Sequence, residues 1–241
     1  MSWIKRLFYI VAVASIVSQP VSIQVDETHR VSGLLQLPDS PRACYVLAHG
    51  AGAGMTHPFL TSIASGLAER NIATLRFQFS YMEQKSKRPD SPKLAQAAVR
   101  GAVQEAARLI PALPLFAGGK SFGGRMTSQA QASQPLEAVR GLVFLGFPLH
   151  PPGKPSTERA NHLLAVQVPM LFLQGTRDEF AELSLLQSVR QQLGERATLQ
   201  LFQEADHSFH VPARTGRKDA EVRVELLDVL AAWINRHAAQ P

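Results

Sequence analysis

Three stretches of this 241-residue chain carry residues that could do covalent chemistry together. Gly119-Lys120-Ser121-Phe122-Gly123-Gly124 places a serine between glycines. Gly175-Thr176-Arg177-Asp178-Glu179-Phe180 offers a carboxylate, and Ala205-Asp206-His207-Ser208-Phe209-His210 offers an imidazole. A serine hydroxyl is a weak nucleophile at neutral pH. It needs a base to take its proton, and the base needs a carboxylate to orient it. Ser121, Asp178 and His207 supply the three groups in the order nucleophile, acid, base. Glu179 and Asp206 compete as the acid and His210 competes as the base. Asp206 is the weaker acid candidate because it adjoins His207, and loop neighbours rarely turn their side chains toward each other.

The elements around these residues fit that use. Leu115 to Gly118 reads as a strand and Arg125 to Ala132 as a helix, so Ser121 falls at the apex of a strand–turn–helix. Gly119 and Gly123 suit a turn that a side chain would crowd. Asp178 follows the apolar run Met170 to Gln174, and His207 follows the strand Thr198 to Phe202. A tetrahedral intermediate needs donors for its oxyanion. The N–H of Phe122 would be one, and a loop at His49-Gly50-Ala51-Gly52-Ala53-Gly54 would give the second, from Ala51 or alternatively Gly52. That loop lacks the lysine and hydroxyl of a phosphate-binding loop and the later acidic partner of a dinucleotide site.

The rest of the chain alternates strand and helix. Val31 to Leu37 reads as an outer strand, followed by strands at Ala43 to Ala48, Ile72 to Phe77 and Gly141 to Gly146. Helices are expected over Pro58 to Arg70, Leu94 to Ile110, Ser184 to Leu193 and Ala220 to His237, and a polar loop over Tyr81 to Lys93. The pattern predicts an α/β fold: a mostly parallel sheet with helices on both faces and a site at the carboxyl ends of its strands. Only Phe147 to Val168 lies where a lid would be inserted between successive strands, which is room for a short loop and one small helix, so little or no cap is expected.

Composition sets the outer limits. Hydrophobic residues make up 45% and charged residues 18%, as in an ordinary globular domain. The formal charge is +6, but the basic residues are scattered and no nucleic-acid-binding motif accompanies them, so no nucleic-acid partner is expected. The single cysteine, Cys44, lies in an apolar run and reads as a buried, inert thiol. No metal or organic cofactor is expected. Lys5 and Arg6 precede the apolar run Leu7 to Val17, so residues 1–22 read either as a signal or short anchor or as an artefact of gene-start choice. The domain is then residues 23–241, with the fold-like pattern starting near Val25. A cytoplasmic location is favoured, with export or membrane contact the alternative if residues 1–22 are retained as a signal. The oligomeric state is left open.

Ala48-His49-Gly50-Ala51-Gly52-Ala53, Gly118 to Arg125, Leu173 to Asp178 and Ala205 to Phe209 together resemble the dienelactone-hydrolase-like branch of the α/β-hydrolase superfamily. More narrowly, the chain resembles small bacterial hydrolase-like proteins grouped with a subunit of a metazoan chromatin acetyltransferase (NSL) complex and a testis-expressed relative. The match spans residues 28–237 and includes Arg76-Phe77-Gln78-Phe79-Ser80-Tyr81-Met82 and Gly146-Phe147-Pro148-Leu149-His150-Pro151-Pro152. The resemblance implies the hydrolase fold and matches Ser121, Asp178 and His207 to its triad. The expected activity is a serine hydrolase acting on a small-molecule ester or related acyl bond, with acyl transfer a variant. The alternative is an interaction module on a hydrolase scaffold, as the chromatin-associated relatives suggest. Lys120 stands where the superfamily more usually has His or Tyr. It is expected to turn outward, the alternative being a cation that assists an anionic substrate or pairs with a carboxylate. Gly52, Lys120, Tyr81 and Phe147 are candidates for a substrate pocket, and His57, Met82 and His150 also fall on nearby loops. Taken singly, loop packing accounts for Tyr81, Phe147, His57, Met82 and His150 better than substrate contact does.

Overall fold

The computed structural model describes residues 17–239. Apolar strand runs of about six residues, too short for helices, assemble into an eight-stranded sheet of order β1-β2-β4-β3-β5-β6-β7-β8. The strands are β1 (Val17–Gln24), β2 (Arg30–Leu37), β3 (Ala43–Ala48), β4 (Ile72–Phe77), β5 (Leu115–Lys120), β6 (Val139–Leu145), β7 (Met170–Gly175) and β8 (Ala197–Phe202). Strand β2 pairs antiparallel with β1 and β4, and all other pairings are parallel.

Strand periodicity divides the core in two. In β3, Cys44, Val46 and Ala48 face one layer, while Ala43, Tyr45 and Leu47 face the other. The first layer holds α3 (Pro92–Leu109), α4 (Phe122–Ser133) and α5 (Leu183–Leu193). The second holds α1 (Pro58–Ala68) and α6 (Asp219–Ala238). Each helix buries one apolar stripe, such as Leu60, Ile63 and Leu67 in α1. Helix starts follow local chemistry: the Ser91 hydroxyl accepts the N–H of Leu94 ahead of Pro92 in α3. Cys44 is buried and its thiol is pushed up to about 12 by loss of solvation, which makes it inert.

Three expectations need correction. The domain boundary after residue 22 falls inside β1, whose residues pair in register from Val17 with Leu37 to Gln24 with Arg30. The strand was missed because its polar and apolar residues, Val-Ser-Gln-Pro-Val-Ser-Ile-Gln, look like the tail of the apolar leader. Val31 to Leu37 is therefore second from the edge, not outermost. Residues 1–16, the rest of the segment read as a signal or anchor or as a gene-start artefact, lie outside the described residues. The polar loop after β4 also contains one helical turn, α2 (Ser80–Glu83). Between β6 and β7 the chain forms only a short 3-10 helix, Glu158–Ala165, so no lid is inserted there.

Candidate active site

Ser121 is the single residue between β5 and α4, and it holds φ 51° and ψ −116°. That conformation lies in a region side chains disfavour, and it lifts the hydroxyl clear of the sheet edge. The neighbours make the turn possible. A Cβ on Gly119 would sit 2.2 Å from the carbonyl oxygen of Ala48, and one on Gly123 would sit 2.5 Å from that of His49. Only glycine lets the turn approach β3 so closely. The N–H of Ser121 donates to the carbonyl of Leu145, which ties the turn to β6 as well.

The loops after β7 and β8 bring Asp178 and His207 to the same place. The Ser121 Oγ lies 2.9 Å from His207 Nε2, and His207 Nδ1 lies 2.7 Å from Asp178 Oδ2. A carboxylate only accepts, so Nδ1 carries the proton and Nε2 is left free to accept from the serine hydroxyl. Asp178 is itself held on both oxygens. Its Oδ1 accepts the N–H of Phe180 at 2.8 Å, and its Oδ2 also accepts the side-chain amide of Gln174. Gln174 is buried at the end of β7, and its own carbonyl oxygen accepts the N–H of Phe147 at 2.8 Å. The ring of Phe180 lies on His207, with centroids 4.4 Å apart.

The competing groups are occupied elsewhere. His210 is exposed and pairs with Asp219, 2.9 Å away, an ion pair that raises its pKa. Asp206 caps its own turn by accepting the N–H groups of Ser208 and His210 at 2.7 and 3.0 Å. Glu179 points to solvent.

The glycine-rich loop after β3 is fastened from β4 and the segment behind it. His49 is fully buried; its Nε2 accepts the N–H of Phe79 at 3.1 Å, so its Nδ1 donates to the carbonyl of Gly50 at 2.8 Å. Burial lowers its pKa to about 4, which keeps it neutral. The Tyr81 hydroxyl accepts the N–H of Gly52 at 3.1 Å. Gln78 accepts the N–H of Met55, and the buried Arg76 donates to the Met55 carbonyl and the Thr61 hydroxyl. With the Gly52 N–H engaged by Tyr81, Ala51 is left as the loop's candidate oxyanion donor. The Phe122 N–H, first in α4, has no partner within its helix and benefits from the positive helix end.

A cleft of about 360 Å³ opens over Ser121 and His207. Gly50, Ala51 and Ala53 form one side, Phe59, Leu60 and Phe180 form apolar walls, and His57 and Ser208 complete the rim with the stem of Lys120. Of the expected pocket residues, Lys120 lines it, Gly52 lies in the loop beside it, and Tyr81 and Phe147 do not reach it. Tyr81 is buried behind the loop, and Phe147 packs on Phe144 and Phe172 in the core. Lys120 does not turn outward as expected. Its ammonium points inward and donates to the main-chain carbonyl of His207. The residues missed from sequence were Gln174 and Phe180. Gln174 left a signal, as the one polar residue in the buried run Met170 to Gly175.

An open, mostly parallel sheet with a strained serine at a strand–helix turn defines the α/β-hydrolase fold. The chain belongs to the alpha/beta hydrolase domain family, whose model matches residues 41–235. Among solved structures, dienelactone hydrolase from Anabaena variabilis is similar at 21% identity, with a TM-score of 0.74, over 92% of this chain and 98% of that one. An α/β serine hydrolase without lid from Xanthomonas campestris is similar at 22% identity and a TM-score of 0.71, over 93% and 97% of the two chains. The esterase domain of a Rhodothermus marinus protein matches at 17% identity and a TM-score of 0.71, over 93% and 100%. These structures share the fold of this chain over nearly its whole length.

Proposed function

We propose that this protein is a serine hydrolase that cleaves a carboxylic ester or related acyl bond through an acyl-enzyme. The observation that carries the reading is the unbroken chain of hydrogen bonds from Ser121 Oγ to His207 to Asp178, at 2.9 and 2.7 Å. Ser121 Oγ attacks the acyl carbonyl as His207 Nε2 takes its proton. The backbone amides of Phe122 and Ala51 receive the oxyanion. Asp178 holds the imidazole in the required tautomer and stabilises its cation, without itself taking the proton. The imidazolium returns the proton to the leaving alcohol, and water, deprotonated by the same nitrogen, then releases the acid. Every step uses side chains and main-chain donors of this chain.

The cleft supports a small, uncharged acyl group. Its walls at Phe59, Leu60 and Phe180 are apolar, and its one inward cation, Lys120, is directed at a backbone carbonyl. Solved relatives named as an esterase domain and as a lidless serine hydrolase point the same way.

A fluorophosphonate probe and p-nitrophenyl acetate test the reading. Wild type is expected to label at one site and turn over the ester, and Ser121→Ala to do neither. Equal activity of the two would remove the mechanism. Failure of wild type to label at any pH between about 6 and 9 would favour a binding role instead.

A further inference from the structure

Lys120 is spent in an unexpected way. It is the last residue of β5, adjacent to Ser121, yet its ammonium leaves the elbow and crosses to the loop after β8. There it donates to the carbonyl oxygen of His207 at 2.5 Å. A Cβ on Gly146, at the end of β6, would lie 3.0 Å from Lys120 Nζ and 3.3 Å from both His207 Nδ1 and the His207 carbonyl oxygen. The lysine nitrogen and the imidazole therefore converge on one small space that a side chain at residue 146 would fill. The Nζ also lies over the Phe209 ring, 5.8 Å from its centroid.

The His207 turn is otherwise braced from within, by the loop after β7, where the Arg177 N–H donates to the Ala205 carbonyl, and by Asp219, which accepts the Val211 N–H and pairs with His210. Asp206 accepts the N–H groups of Ser208 and His210, and the Phe209 N–H returns to the Asp206 carbonyl. Those bonds shape the turn but do not fix it against the strand that carries Ser121. The Lys120 bond does, and it acts on the histidine's own backbone. A bond from a cation is shorter and stronger than one from a neutral donor.

We propose that Lys120 is a positioning residue for the general base: its ammonium clamps the His207 backbone to the elbow and so holds Nε2 at attack distance from Ser121. The proposal rests on the serine-hydrolase reading. The titratable groups facing this ammonium are Asp178, on the loop after β7, and Asp206 and His207, on the loop after β8. Burial lowers the lysine's pKa from 10.5 to about 8, and the two carboxylates oppose that fall. The clamp consequently weakens as pH rises through about 8, because a neutral amine is a poorer donor.

The burial cost also separates this role from a merely structural one. A lysine with a depressed pKa destabilises the fold below that pKa, so replacing it with an apolar side chain removes a cost. Lys120→Met is expected to denature at the same midpoint as wild type or a higher one at pH 7. Its fluorophosphonate labelling and its kcat on p-nitrophenyl acetate are expected to fall about 10- to 100-fold, with KM little changed, as a displaced base would give. The wild-type rate should decline above about pH 8, and that decline should be absent from Lys120→Arg, whose guanidinium keeps its charge. Lys120→Met labelling at the wild-type rate overturns the clamp, as does an alkaline decline that persists unchanged in Lys120→Arg. If Lys120→Met does not fold, the wild-type and Lys120→Arg profiles decide. A wild type that does not label overturns the serine-hydrolase reading, and the clamp with it.

Discussion

Replacing Ser121 with glycine and with alanine, and comparing the two stabilities, tests the elbow directly. Both variants lose the hydroxyl and its bond to His207, so that loss cancels in the comparison. What remains is the backbone. In an ordinary position glycine is the less stable choice by about 0.5–1 kcal/mol, because its unfolded chain has more freedom to lose. At φ 51° and ψ −116° alanine keeps the strain of a Cβ in a region that glycine enters without penalty. Strain of that kind is worth about 1–3 kcal/mol. Subtracting the ordinary cost of glycine leaves the Gly variant ahead by about 1 kcal/mol. For a domain of this size that is a Tm about 2–4 °C higher. Differential scanning calorimetry on both variants at one pH, with urea denaturation as a second measure, would give the number. An alanine variant as stable as the glycine variant, or more stable, would refute the claim that the serine's backbone is strained.

Gln174→Leu removes the amide that orients Asp178 and strands the buried N–H of Phe147. A stability loss of about 1–3 kcal/mol is expected from the unpaired group, seen by thermal melting. Turnover of p-nitrophenyl acetate should fall about 10- to 100-fold through the misplaced acid. Acid should also destabilise the fold through His49, whose pKa drops on folding from 6.5 to about 4. Between those values the unfolded chain binds a proton that the native chain refuses, so stability present above pH 6.5 is lost as pH falls toward 4. The loss due to His49 is about 3 kcal/mol, and His162, lowered to about 4 by burial and Arg125, adds in the same direction. Urea midpoints at pH 7 and pH 4.5 measure the sum, and His49→Gln should flatten the slope.

The loops carrying Ser121 and Asp178 were legible in the sequence because each follows a short, mostly apolar run of the length of a buried strand, whereas the His207 loop follows the half-buried edge strand β8, whose Thr198 and Gln200 weaken the pattern. Order along the chain then separated Ser121, Asp178 and His207 from the many other polar residues. His210 and Glu179 could be set aside only once the loops had a shape, since nothing in their spacing says which way a side chain turns. Lys120 shows the limit most clearly. A lysine beside a nucleophile reads as solvated, because burying an ammonium is costly, and the acceptor that offsets the cost is a backbone carbonyl 87 residues away. Tyr81 and Phe147 were placed near the right loops, but one supports the glycine-rich loop after β3 from behind and the other fills the core. Strand β1 escaped because an exposed edge strand of mixed polar and apolar residues does not stand out from the apolar run Leu7 to Val17 that leads into it.

The candidate machinery draws on two separately braced halves of the sheet. Nucleophile, base and acid hang from β5, β7 and β8, while the peptide that would receive the oxyanion is tethered by Phe79, Tyr81, Gln78 and Arg76 from the β4 side. Three of those tethers act through side chains, so substitutions at Tyr81, Gln78 or Arg76 would shift the glycine-rich loop while sparing the contacts among Ser121, His207 and Asp178; Phe79 is different, because its ring packs on Phe122 and joins the two sides.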